Sequence, residues 1–154
     1  MPYTSFLRTT FVLSPPGLRM KPAGVTQRTR WEGALIFRVL LVDDEKMALV
    51  STRHSFDWEK YGFFDVRETE NPLKALEMLE TQRFDAVFVD IRMPEVSGLE
   101  LMERMQGTQS EFIVLTGYSD FEYARAAIKL RAFDYCLKPV QPEESAPLLS
   151  KLKK

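Results

Sequence analysis

The chain has 154 residues, 45% apolar and 28% charged, which suits one ordinary domain with a real core and excludes an intrinsically disordered polymer. Its net charge of −1 conceals an asymmetry: residues 1–36 hold Arg8, Arg19, Lys21, Arg28 and Arg30 against Glu32, which leaves −5 on the remainder. A negative main domain argues against its gripping nucleic acid through phosphate contacts.

Residues 1–36 stand apart in composition. Pro2, Pro15, Pro16 and Pro22, with scattered Ser, Thr and Arg and no sustained period, read as a disordered extension. A start codon assigned too far upstream would look the same. A basic DNA-contacting arm is the functional alternative, but no aromatic or helical pattern supports it. Phe11-Val12-Leu13 is too short for the apolar stretch of a signal peptide, and Pro15-Pro16 interrupt the chain just after it. Nowhere does an apolar run approach the roughly 18 residues of a membrane span. These features read as a cytoplasmic protein with no membrane partner.

From Phe37 to Lys154 the chain alternates between two kinds of segment. Apolar runs at 37–42, 63–67, 84–89, 112–116 and 133–137 predict strands. Helical periodicity between them predicts helices near 45–60, 72–82, 98–106, 120–130 and 145–153. Asn71-Pro72 supplies a cap and a first-turn proline, and Leu73, Ala75, Leu76 and Leu79 mark one helical face. The nearly continuous apolar character of Phe84–Val89 and Phe112–Leu115 is that of parallel strands covered on both faces. Five such strand–helix units predict an open, doubly wound α/β domain over 37–154. Cys136, the single cysteine, excludes an internal disulfide, fits a reducing compartment and reads as core.

In such a fold the chemistry gathers at the carboxyl ends of the strands. The first strand ends in Asp43-Asp44, the third in Asp90, the fourth in Thr116 and the fifth in Lys138-Pro139. Paired carboxylates at the end of a buried strand repel one another and need a cation, a proton or solvent. Three hard oxygen donors suit Mg²⁺ or Mn²⁺, and a hydroxyl and an ammonium nearby could hold the oxygens of a phosphoryl group. Any one of these residues alone would be read as a cap, a solvated loop or a surface charge. Their joint placement at four strand ends carries the functional reading.

The stretches VLLVDDE, DAVFVDIRMPEVSGLEL, IVLTGYSDFEYARAAI and AFDYCLKPV resemble the receiver domain of two-component response regulators, most closely those with an AraC-type output domain. The resemblance covers about 37–153. It implies a flavodoxin-like five-stranded parallel sheet in the order 2-1-3-4-5. It further implies Asp90 as phosphoacceptor, Asp44 as a direct magnesium ligand, Asp43 as a ligand through water, and the backbone carbonyl of Arg92 completing the metal site. Thr116 would hydrogen-bond the phosphoryl group and Lys138 would pair with it, aimed by a cis peptide before Pro139. Tyr135 matches an aromatic that swings inward on activation. The implied partners are a sensor histidine kinase and a second copy of the chain, the latter through the fourth helix, fifth strand and fifth helix. The protein would then be a signalling switch rather than an enzyme acting on an outside substrate.

Some positions depart from the family pattern. Arg131 stands where glycine is common, which costs energy if φ there is positive. Pro147 falls in the last helical stretch, so that helix is expected to start at Ser145 and to be short. His54, the only histidine, reads as a helix residue rather than a phosphohistidine relay, and Gly98 as part of the turn into the third helix. Two rival functions fit less well. An aspartyl-nucleophile phosphatase commonly carries Asp-x-Asp, whereas Asp90 is followed by Ile91-Arg92. A phosphorylation-independent interaction module would be favoured by loss of the acidic pair, Thr116 or Lys138, and all are present.

Overall fold

A computed structural model describes residues 10–12, 30–31, 34–117 and 121–153. Its strands are β1 (Thr10–Val12), β2 (Arg30–Trp31), β3 (Ala34–Leu35), β4 (Arg38–Val42), β5 (Asp65–Thr69), β6 (Ala86–Asp90), β7 (Glu111–Thr116) and β8 (Asp134–Leu137). The helices are α1 (Lys46–Ser55), α2 (Pro72–Thr81), α3 (Gly98–Arg104), α4 (Phe121–Lys129) and α5 (Pro142–Lys153). Strands β5-β4-β6-β7-β8 pair in parallel, which is the expected order 2-1-3-4-5.

Alternation along the strands builds a core on each face. From β4, Leu40 and Val42 join Val87, Val89 and Val114 under Ala75 and Met78 of α2 and Leu101 and Met102 of α3. Val39 and Leu41 point the other way, toward Phe88, Ile113 and Leu115, covered by Leu49 of α1 and Leu148 and Leu149 of α5. Cys136 lies in this second core as a free, buried thiol, and burial pushes its pKa up to about 12.

Several boundaries differ from the sequence reading. Helix α1 stops at Ser55 instead of running to 60. The Phe56 and Trp58 rings turn inward to pack on Phe88, at 5.1 and 5.2 Å, and the Trp58 indole donates to the Arg53 carbonyl at 2.9 Å. Those aromatic contacts need a backbone path that a continued helix cannot give. The second strand lies two residues late because Asp65 is buried and paired with Arg38 and Arg67. Helix α5 starts at Pro142, not Ser145, and Pro147 lies inside it. Burial of Leu148 and Leu149 offsets the backbone hydrogen bond that this proline cannot make.

The expected extension is mostly outside the described residues. Within it, Thr10–Val12 pairs antiparallel with Asp65–Arg67 and adds a sixth, edge strand, and Ile36 is buried in the core. Those residues therefore differ from a wholly disordered segment: the β5 edge offers unpaired backbone groups, and a Thr-Phe-Val run suits a strand. Arg131 has φ of +64°, so the cost expected at that position is present. Among the described residues no helix is long and apolar enough to cross a membrane.

Candidate functional site

Register brings the candidate residues to one rim. Val42 is level with Val89, Asp90 with Leu115 and Thr116 with Leu137, so the next residue of each strand reaches the same end of the sheet. The Asp43 amide still donates to the Thr69 carbonyl at 3.3 Å, which fixes its direction. Its Oδ1 accepts from the Glu45 amide at 3.0 Å and turns the chain toward α1. The Lys138 amide donates to the Thr116 carbonyl at 2.8 Å, and the Lys138-Pro139 peptide is cis.

Lys138 joins the buried Asp43 to the half-buried Asp90. Its Nζ lies 2.6 Å from Asp43 Oδ2 and 2.9 Å from Asp90 Oδ1. Asp43 and Thr116 are each 1% exposed, whereas Asp44 opens to solvent. Oxygen atoms of Asp43, Asp44 and Asp90 come within 4.8 Å of one another. A hard divalent cation fits this set, which combines three carboxylates with a solvent-facing side. Burial raises the Asp90 carboxyl to about 6, with Asp43 and Asp44 adding to it, against the hydrogen bond from Lys138. Burial works against the Lys138 ammonium, but its bonds to Asp43 and Asp90 outweigh that and raise its pKa.

The remaining sequence candidates lie around this cluster. Arg92 follows β6 by two residues and is exposed, its guanidinium 5.2 Å from the centre of the Tyr123 ring. Tyr135 points outward on β8 and is 47% exposed. Tyr123 and Ile128 of α4 are also exposed, and His54 is an exposed residue of α1.

Two features escape a reading of residues alone. Glu95 adopts φ of +68° in the loop after β6. Gly98 does more than serve a turn: a Cβ there would lie 2.4 Å from the Asp90 carbonyl oxygen. Its amide donates to the Ile91 carbonyl at 3.0 Å, and the Ser97 hydroxyl caps α3 by accepting from the Glu100 amide at 3.2 Å. The run MPEVSG signals a turn, but only three dimensions show that the glycine abuts the residue eight positions earlier.

Residues 39–149 match the response regulator receiver domain family. An uncharacterised response regulatory protein of Staphylococcus epidermidis is 33% identical over 105 residues, 68% of this chain and 42% of that protein. The transcriptional regulatory protein HptR of Staphylococcus aureus is 30% identical over 117 residues, 76% of this chain and 46% of its own. The chain thus spans less than half the length of the curated relatives it matches. Among solved structures, the REC domain of AraT, a response regulator from Geobacillus stearothermophilus, superposes with a TM-score of 0.72 at 37% identity, covering 77% of this chain and 94% of that one. A two-component transcriptional regulator AraC from Clostridium phytofermentans gives 0.67 at 31% identity over 75% and 92%. The rim of acids bridged by one lysine stands on the fold these proteins share, and the chain belongs to the response regulator receiver family.

Proposed function

We propose that this receiver domain is a cytoplasmic switch set by phosphorylation of Asp90, dependent on Mg²⁺, with a sensor histidine kinase as donor. The observation that carries the reading is the contact of Lys138 Nζ with both Asp43 and Asp90 at the rim. Asp90 is the carboxylate placed to act as nucleophile: it ends the central strand and is held from one side by the ammonium. In the transfer, an Asp90 oxygen lone pair forms the new P–O bond as the phosphorus–nitrogen bond of the donor phosphohistidine breaks. The imidazole leaves with that electron pair.

Asp43, Asp44, Asp90 and the Arg92 carbonyl would hold the magnesium ion, which would neutralise charge on the transferring group. Lys138 supplies fixed positive charge to the phosphoryl oxygens, and the Thr116 hydroxyl donates a hydrogen bond to one of them. The chain acts on itself rather than on an outside substrate. Response to the phosphoryl group then passes to Tyr135 and the α4–β8–α5 face, through which two copies would pair. Residues 1–36 are read as an extension outside the switch.

The test is uptake of phosphate from a small phosphodonor with Mg²⁺. One phosphate per chain is expected, none for Asp90→Asn, and loss of both Mg²⁺ binding and uptake for Asp44→Asn. Stoichiometric uptake by Asp90→Asn would overturn the assignment.

A further inference from the structure

Helix α4 turns only small apolar side chains to the core among those described: Ala124 and Ala127 are buried, while Tyr123 and Ile128 face solvent. Two alanines bury little apolar area, so polar contacts weigh heavily in where the helix sits. Two such contacts stand at opposite ends. After the last turn, the Gln106 amide nitrogen donates to the Leu130 carbonyl at 3.1 Å and to the Met102 carbonyl at 3.2 Å, tying the end of α4 to the end of α3. In the first turn, the Arg92 guanidinium lies 5.2 Å from the centre of the Tyr123 ring. Arg92 belongs to the loop that leaves Asp90, and its backbone is separated from that carboxylate by one residue.

We propose that Arg92 is a positioning residue: its stack on Tyr123 ties the first turn of α4 to the acidic rim, so that filling the rim with a divalent cation shifts α4 through this contact, with the Gln106–Leu130 bond as pivot. The part that concerns the cation rests on the metal-dependent reading above, and the tether itself does not. A backbone shift that draws the Arg92 carbonyl toward the rim must also move its side chain, and the ring beneath it either follows or loses the contact. The route is separate from Thr116, which reaches α4 along the chain through residues 117–120. Because coupling is reciprocal, changing the ring on α4 must change cation affinity at a rim it does not touch.

The experiment has two readouts on the full chain. In metal-free buffer, amide hydrogen exchange in the first turn of α4 is measured for wild type, Arg92→Ala, Tyr123→Leu and the double variant. Each single change should speed exchange about two- to fivefold, the factor an exposed cation–π contact supplies, and the double variant should be no faster than the singles. Tyr123→Phe, which keeps the ring face, should restore wild-type exchange. Unchanged exchange in the singles, or effects that multiply in the double, would overturn the tether. The second readout is Mg²⁺ affinity by calorimetry, where Tyr123→Leu should shift the dissociation constant about two- to fivefold and Tyr123→Phe should not. An unmoved constant for Tyr123→Leu, with the tether intact by exchange, would overturn transmission. Failure of wild type to bind Mg²⁺ would instead strike the metal-dependent reading and leave the exchange result to judge the tether.

Discussion

Gly98 offers the sharpest test of how the fold holds Asp90 in place. Adding one methyl group as Gly98→Ala sets a Cβ 2.4 Å from the Asp90 carbonyl oxygen and 3.1 Å from its carbonyl carbon and from the Ile91 Cα. All three atoms are backbone, so no flexible side chain can swing aside. Ordinary carbon–oxygen contact needs about 3.2–3.5 Å, so α3 and the end of β6 must part by close to 1 Å. Overpacking of this kind costs about 1–3 kcal/mol, and the better helix propensity of alanine returns at most about 1 kcal/mol. The displacement falls on the residue that Lys138 holds at 2.9 Å. A misplacement of about 1 Å at a reacting group can cost on the order of 100-fold in rate.

Gly98→Ala should therefore lower the unfolding free energy by about 1–2 kcal/mol in urea, and slow phosphate uptake from a small donor by about tenfold or more. Gly107→Ala is the control. Gly107 has φ of +85° with nothing within 4 Å of the added carbon, so it should lose about 1 kcal/mol through backbone strain while uptake stays unchanged. Wild-type stability together with wild-type uptake in Gly98→Ala would refute the close-approach argument. Equal slowing of uptake in both variants would show that lost stability, not geometry at Asp90, is responsible.

Three further outcomes are expected. The Asp90 carboxyl, raised from 3.8 to about 6 by burial and then by its acidic neighbours, favours the fold most below pH 3.8 and loses that contribution as pH rises through about 6. Above about pH 7 in metal-free buffer, Asp90→Asn should therefore be more stable than wild type by roughly 2–3 kcal/mol, with the gap closing near pH 4; a gap independent of pH would refute this. Thr116→Ala should still take up phosphate but show a weaker change in self-association or partner binding with beryllofluoride, and an undiminished change would remove Thr116 from the switch. Deleting residues 1–35, which leaves the buried Ile36 in place, should alter the unfolding free energy by less than about 1 kcal/mol. The short pairing of β1 with β5 gains about 1 kcal/mol per hydrogen bond, and ordering the chain costs a similar amount per residue. A loss of about 3 kcal/mol or more would show that the extension packs its side chains on the domain.

The fold is legible in the sequence because its signal is redundant. Each central parallel strand is apolar on both faces and ends at a polar residue, so Val39–Val42 and Ala86–Val89 mark their own limits. The site is legible for the same reason, since strand ends in one parallel sheet share a rim. Contacts distant in sequence set the features that are not legible. Nothing local to Phe56 or Trp58 says that their rings belong on Phe88, so periodicity alone carries α1 too far. Pro147 makes the last helix read as starting too late, at Ser145, because local propensity takes no account of Leu148 and Leu149 under the sheet. Arg131 is legible as a departure, and its positive φ shows that the turn before β8 holds a non-glycine residue in the left-handed region.

The paired acids that end β4 illustrate how one residue can serve folding and chemistry together. Asp43 is almost wholly buried, and burial of a carboxylate is costly unless it is paired. Its two oxygens divide the task. Oδ1 holds the turn into α1 through the Glu45 amide, and Oδ2 takes the Lys138 ammonium at 2.6 Å. The same ammonium reaches the half-buried Asp90, so one positive charge is set against two negative ones, and Asp44 adds a third at the open side. Burial is the first cause of the raised Asp90 carboxyl, and this imbalance of charge adds to it. The rim is thereby left in need of further positive charge. A rim neutralised fully by lysines would be more stable and would have no use for a cation. A rim with one lysine and three carboxylates keeps net negative charge available to a divalent ion, and keeps a fixed ammonium available to a phosphoryl group.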